Sequence, residues 1–550
     1  MIHRWRRSWP GRLGVLLASA ALVSVCACGG PPVERPGAGA DDESPRQGGT
    51  AVLGSISDVD SWNEYTSQQS FASNVLRRIY LRLADDRGTG LERPEEFAPS
   101  LATDWQVAED GLAITFFLRE ARWSDGVPLT ADDVRFTWQA QTEPAVPWPG
   151  AVNKRRITDV EVVDPRTVRF HFDGRYPYQF ADAVDGGILP RHRFGEIPFD
   201  EWMTHDWSQY SIGSGPFVLS RHVPQQEIVL ERNLHYFEPE LPRLDRVVVR
   251  IVPDVLTLLT QLQAGEIDWI DGIPPREAER LADAASAVSI VPFDYPGYDF
   301  IGWNEARAPF DDAEVRRALT MAIDRAALVE ELLYGYGEVA GTPVPSGWWG
   351  ADRSIRPLPY DPEGARRLLA SRGFRTVGAD GVERPGEVLT IEILTNNGNR
   401  LRRDALVKVQ QQLDLVGVEA TVHPLEAKAL RHQVGAGDYD AFLGGWVFVG
   451  RVDLAMLFGG GNLPPNGLNV VQYRSASLDE LLDRLQRADS AIAMGQPLHE
   501  IQRQLHRDQP YTLLYEAQRI AAHGPRLRGV EVDVPADPLA ALERFWVDSP

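Results

Sequence analysis

From Thr50 onward the apolar positions fall into two alternating rhythms, one of period two or continuous, the other of helical spacing. Arg246–Val252 (RVVVRIV) reads as a buried strand; Asp254 then caps a helix through Leu262 that stops at Gly265, and Ile267–Trp269 returns as a strand. Asp311-Asp312-Ala313-Glu314 predicts a capping-box start with the first Asp as cap. Val315, Leu319, Ala322, Ile323, Ala326, Val329 and Leu333 follow as one helical stripe ending at Gly335. Asp361-Pro362 opens another helix, closed by Gly373. Leu389–Leu394 is a strand, Arg402–Leu415 a helix stopped by Gly417, Val418–Val422 a strand, and Ser477-Leu478-Asp479-Glu480 caps a late helix. Alternating strands and helices over this length predict α/β construction with mixed sheets in more than one lobe.

The start of the chain follows neither rhythm. Arg4, Arg6, Arg7 and Arg12 precede an apolar run, Leu13–Ala27, that is too short to span a bilayer stably and reads as a secretory signal over residues 1–27. Residues 28–49 are rich in Pro, Gly, Ala and acids without periodicity, predicting a disordered tether that reaches ~25 Å as a flexible coil.

The chain carries 56 Lys+Arg against 78 Asp+Glu, a balance of −22, which becomes 52 − 78 = −26 once the four leader arginines are removed. So acidic a surface disfavours nucleic acid as a partner. Both cysteines, Cys26 and Cys28, lie at the leader, excluding a disulfide framework, a Cys-ligated zinc site and a thiol nucleophile in the body. Metalloprotease, nucleophile-elbow, P-loop, dinucleotide and EF-hand motifs are missing, and the histidines show no metal spacing, so neither cofactor nor metal is expected. Trp is plentiful at 15 residues, which makes ring stacking on a ligand worth examining.

Several ordered blocks carry a resemblance. Val25-Cys26-Ala27-Cys28-Gly29-Gly30 resembles a bacterial lipoprotein box, implying cleavage before Cys28 and its lipidation; several acyl chains anchor firmly where one is marginal. Behind it come Ser100-Leu101-Ala102-Thr103-Asp104-Trp105, then Phe116–Trp138 (FFLREARWSDGVPLTADDVRFTW), Gly213-Ser214-Gly215-Pro216-Phe217 and Ala264-Gly265-Glu266-Ile267-Asp268. Further on stand Trp303-Asn304 before Pro309–Ala318, Tyr360-Asp361-Pro362, and Tyr439-Asp440 before Gly445-Trp446. Together these resemble the extracytoplasmic solute-binding proteins of the peptide/nickel class, solute-binding protein family 5, which includes the dipeptide- and oligopeptide-binding proteins of ATP-binding-cassette (ABC) importers. The residues in these blocks also make plain structural sense. Thr130 with Asp133 forms a capping-box-like start, and Gly213–Phe217 suits a tight reversal. The blocks are therefore read as architecture.

The resemblance implies a two-lobed periplasmic-binding-protein fold (type II, Venus-flytrap) with an extra inserted domain. Lobe I would combine residues 50–83, 212–296 and 505–550, the insert residues 84–211, and lobe II residues 297–504. Ligand would sit between hinged lobes, and closure would engulf it. The segment after Asp440 would line the cleft and pair with an extended ligand in strand-addition fashion, with Gly445, Trp446, Phe448 and Val449 at the site. Peptide binders of the family commonly carry an amine-holding Asp three residues after the Trp. Here that place is Val449, and Asp453 either replaces it or simply caps the following helix. Trp62 and Tyr65 fall where the family's first strand ends at the cleft, Trp303 and Asn304 end the strand entering lobe II, and Trp348 with Trp349 sits in a Pro/Gly-rich loop suited to a lid. Arg307 and Arg451 are candidates for a ligand carboxylate, a weak signal among 53 Arg and 3 Lys.

The expected function is a monomeric lipoprotein of the bacterial cell envelope. It would capture a small extracellular ligand, a peptide first and an oligosaccharide second, and deliver it to importer permease subunits without catalysis. The rival of a different class is an extracellular glycan hydrolase with a Trp-lined cleft and a carboxylate pair.

Overall fold

A computed structural model describes residues 44–86, 97–210, 212–283, 287–448, 451–465, 467–532 and 534–548. Two large sheets organise the body. The first has seven strands in the order Phe217–Val223, Glu227–Arg232, Arg246–Ile251, Thr50–Ser55, Trp269–Ile270, Arg519–His523 and Ser289–Phe293. Its centre is parallel, with Thr50–Ser55 running beside Arg246–Ile251 and Trp269–Ile270. The second has six strands in the order Gly337–Glu338, Tyr511–Ala517, Gly297–Trp303, Ala441–Val447, Leu389–Asn396 and Val418–Leu425. A four-stranded antiparallel sheet, Ala102–Val107, Ala113–Leu118, Thr167–Phe172 and Ile157–Asp164, is inserted in sequence between strands Thr50–Ser55 and Phe217–Val223 of the seven-stranded sheet.

Strand Tyr511–Ala517 corrects the expected C-terminal boundary at residue 505. It pairs with Gly297–Trp303 in the six-stranded sheet, and only from Arg519 does the chain rejoin the seven-stranded one. Strand partnership is non-local, so sequence neighbourhood misplaced it.

Cap chemistry explains where the helices begin. Asp254 accepts from Thr257 N and Asp361 from Gly364 N, as their sequences predict. At the Thr130 start, the Asp133 carboxylate accepts from Thr130 N at 2.8 Å. The long stripe after Asp311 is instead two helices, Ala313–Met321 capped by Asp312 and Arg325–Leu332 capped by Asp324, whose carboxylate accepts from Ala327 N. A second cap inside one apolar stripe interrupts the helix without disturbing its spacing. Likewise the late helix Ala476–Gln486 is capped by Ser475, not Ser477.

Alternate residues of the six-stranded sheet feed separate cores. Ile301, Trp303, Ala441 and Leu443 pack with Leu319, Leu406 and Val409 of the covering helices, whereas Phe300 and Phe442 pack with Leu457, Leu498 and Ile501. The recurring sequence blocks are parts of this framework. The carboxylate of Asp268, 3% exposed, accepts from Val52 N at 2.7 Å and binds Arg526 through both oxygens. Gly213 and Gly215 let their segment approach the Arg78 and Ile79 carbonyls, where an added Cβ would lie 2.5–2.6 Å from oxygen. No helix among the described residues is long and apolar enough to cross a membrane.

Candidate functional site

Two short chain passages join the sheets among the described residues: Asp294-Tyr295-Pro296 and the single residue Gln518. They lie side by side, since the Gln518 side-chain amide donates to Asp294 Oδ1 at 3.0 Å and the Arg519 guanidinium lies 4.1 Å over the Tyr295 ring. The strand that sequence reasoning favoured ends at the same place. Strand Ala441–Val447 pairs with Gly297–Trp303, and just past its end Phe448 N donates to Pro296 O at 2.8 Å.

Trp446 and Phe448 are half-buried on this edge of the second sheet. The Trp446 indole lies near-parallel to Phe300 at 6.2 Å and donates from Nε1 to the Tyr511 hydroxyl at 3.2 Å. Tyr511 in turn stacks on Phe300 at 3.8 Å, and Phe448 packs 5.7 Å from Tyr298. Burial pushes both tyrosine hydroxyls well above their ordinary range, so they stay neutral. Tyr298 Oη is buried without a hydrogen-bond partner among the described residues. The result is an aromatic wall with polar points at the edge where the chain crosses between sheets. Glu516 sits near this wall with its carboxylate accepting from Ser346 N and Oγ; burial pushes it up to about 7.

The structure reassigns several expected site residues. Trp303 is fully buried at the far end of its strand, six residues from Gly297, with Nε1 donating to Thr512 and the ring stacked on Phe310. Asn304 is also fully buried, its amide held by the Gly437 and Tyr439 carbonyls. Both are core residues because their polar groups are consumed inside the lobe. Trp348, 2% exposed, joins the second-lobe core rather than a lid. Trp62 is buried with Nε1 on His222, which itself bonds Asp58, and Tyr65 is buried with its hydroxyl on Gly187 O at 2.6 Å and accepting from Gln141. Tyr65 thus ties the first lobe to the inserted domain, whereas Trp62 bonds within the first lobe. Gly445 serves a close approach: a Cβ there would collide with Asp299 Oδ1 and Arg402, which form a two-pronged ion pair at 2.7 and 3.2 Å. Asp453 is exposed and accepts from Met456 N at 3.0 Å, capping helix Leu454–Phe458. Val449 and Cys28 lie outside the described residues.

Sequence reasoning missed the hinge-side cluster and underrated one arginine. Arg307 is spent on Asp438 and Asp440 within its own lobe. Arg451, by contrast, leaves the second lobe and meets the inserted domain. Its Nη2 donates to Asn153 Oδ1 at 2.5 Å, Nη1 lies 3.7 Å from Asp182 Oδ1, and the guanidinium sits 5.1 Å over Tyr178. The only sequence signal nearby was Lys154, one of three lysines in the chain. It is 1% exposed, with its ammonium donating to the Asp182 and Asp185 carbonyls, and burial brings it down to about 8.

Known proteins bear on this arrangement. A family model described as bacterial extracellular solute-binding proteins, family 5 Middle, matches residues 96–458. The oligopeptide-binding protein AppA of Bacillus subtilis is 30% identical over 543 residues, spanning 97% of this chain and 98% of the relative. A dipeptide-binding protein of Pseudomonas aeruginosa is 27% identical over 457 residues, covering 78% of this chain and 83% of its own length. The solved structure of the B. subtilis AppA protein in complex with a nonapeptide superposes with a TM-score of 0.72, covering 92% of this chain and 100% of the other.

Proposed function

Because the chain belongs to the bacterial extracellular solute-binding proteins of family 5, we propose that it captures a peptide between its two lobes and passes it intact to an ABC importer. Members of this family are extracytoplasmic binding proteins and not enzymes, so the glycan-hydrolase alternative is withdrawn. The observation that carries the peptide reading is the similarity to an oligopeptide-binding protein along 97% of the chain.

In this reading the first lobe comprises residues 50–83, 212–296 and the tail from Arg519, the insert residues 84–211, and the second lobe the chain from Gly297 to Ala517. The lobes swing about Asp294–Pro296 and Gln518. Trp446 and Phe448 form the ligand-facing edge, where backbone pairs with an extended peptide and the indole face packs on a side chain. Residues 1–27 direct export, Cys28 carries the lipid, and residues 28–49 tether the body beside the permease.

The test is extraction of small molecules from natively purified protein, followed by mass spectrometry and re-addition. Peptides should be recovered, and re-adding them should raise the melting temperature by linkage. Recovery of sugars that raise it instead would replace the peptide reading. Cys28→Ser should release the protein from membranes; continued attachment would refute the anchor.

A further inference from the structure

Arg451 stands three residues beyond Phe448, on the segment that leaves the ligand-facing edge of the second lobe. Its guanidinium reaches out of that lobe. All three partners, Asn153 Oδ1 at 2.5 Å, Asp182 Oδ1 at 3.7 Å and the Tyr178 ring at 5.1 Å, belong to the inserted domain. Asn153 lies in the turn Pro149–Lys154 and Asp182 in the helix Gln179–Val184. The contact therefore joins elements whose separation changes when the clamp opens.

Asp182 is the asymmetric partner. It is 5% exposed, and apart from Arg451 the groups that act on its carboxyl, Tyr176, Lys154 and Asp185, belong to the insert. The charged and titratable groups around it are Lys154, Tyr176, Tyr178 and Asp185 from the insert, and Arg451 from across the gap. Lys154 spends its ammonium on the backbone carbonyls of Asp182 and Asp185, both within 2.7 Å. Arg451 is thus the cation that the second lobe brings to a carboxylate already out of water, where an ion pair is screened least.

We propose that Arg451 is a positioning residue that latches the lobes shut by pairing with Asp182, and that the latch loosens when Asp182 takes a proton. The proposal rests on the hinged-clamp reading but not on the identity of the ligand. Burial holds the Asp182 carboxyl up to about 6 even with Arg451 beside it. Arg451 is the largest influence holding the carboxyl down, so withdrawing it removes that restraint while Tyr176, Lys154 and Asp185 stay, and the open state binds the proton more tightly than the closed one. Closure accordingly draws on the latch at neutral pH and loses it as pH falls through about 6. A clamp of this kind grips at neutral pH and loosens in an acidified envelope.

The test measures interlobe distance in ligand-free protein, with Cys26 and Cys28 replaced by Ser. Donor and acceptor dyes go on Leu234→Cys in the first lobe and Ile492→Cys in the second, which are 88% and 93% exposed. The unmodified latch should show a closed population at pH 7.5 that falls at least threefold at pH 5. Arg451→Gln and Asp182→Asn should show the reduced population at both pH values with undiminished melting temperatures, and Arg451→Lys should recover part of it. A closed population in Arg451→Gln equal to that of the parent would overturn the proposal. So would acid sensitivity that persists in Asp182→Asn, or a parent that stays open at both pH values. No peptide is added, so failure of the peptide reading leaves the result unaffected.

Discussion

Replacing Trp446 by alanine separates the two roles that its position combines. Truncating a fully buried Trp costs ~3–5 kcal/mol. Trp446 is half-buried against the second-lobe core, so about half of that, ~2 kcal/mol, is expected from packing. The same change removes the Nε1 donor from the Tyr511 hydroxyl, a residue only 3% exposed. An orphaned buried hydroxyl adds ~1 kcal/mol. Trp446→Ala should therefore lower the unfolding free energy by ~3 kcal/mol in urea titrations of ligand-free protein. Trp446→Phe keeps a ring on Phe300 and should lose only the ~1 kcal/mol of the hydrogen bond. The remaining indole face is available to ligand, so calorimetric affinity for the native ligand should drop by ~1–3 kcal/mol in both variants. Unfolding free energy of Trp446→Ala within ~0.5 kcal/mol of the parent would refute the packing account. Unchanged affinity would remove Trp446 from the site.

Three further outcomes follow from buried charge and caps. Arg316, 2% exposed, donates to the Phe310, Asp508 and Gln509 carbonyls, so Arg316→Met should cost ~3–5 kcal/mol by leaving them unpaired; a loss below ~1 kcal/mol in urea melts would contradict this. Burial pushes Glu305 up to about 8 despite Arg316 at 3.3 Å, so the folded chain holds a proton there that the unfolded chain releases near its ordinary value. Its stabilising effect is full below the ordinary value near 4.5 and is lost as pH rises from there through about 8; by linkage Glu305→Gln should gain ~3–4 kcal/mol on the parent between pH 5 and pH 8.5, and a Gln variant that gains nothing over that range would contradict the assignment. Asp453→Ala should lose ~1 kcal/mol of stability as a missing helix cap, with ligand affinity within about twofold; a tenfold affinity loss would make it a ligand partner instead.

The alternating α/β order was legible because its punctuation is local. Asp254 and Asp361 each announce a helix through a carboxylate that reaches three residues ahead, and at Thr130 the Asp133 carboxylate reaches three residues back to its N–H. The break at Asp324 was hidden because the apolar stripe runs unbroken across both helices. Strand Tyr511–Ala517 was misassigned because only tertiary pairing decides which sheet it joins. Trp446 was singled out through the resemblance of the segment after Asp440 to the family's cleft strand. Trp303, Trp62 and Trp348 were not separable from it, since composition marks an indole without marking its burial. Arg451 was lost among 53 arginines, because what distinguishes it is the carboxylate it meets across the gap.

The central claim is that two lobes close on one peptide and release it unchanged. Native mass spectrometry of the protein incubated with an equimolar pool of synthetic di- to nonapeptides reads this directly. The account predicts a shift of one peptide mass per chain, with the bound peptides recovered at their original masses after denaturation. Retention of no peptide, or recovery of shortened ones, would contradict it.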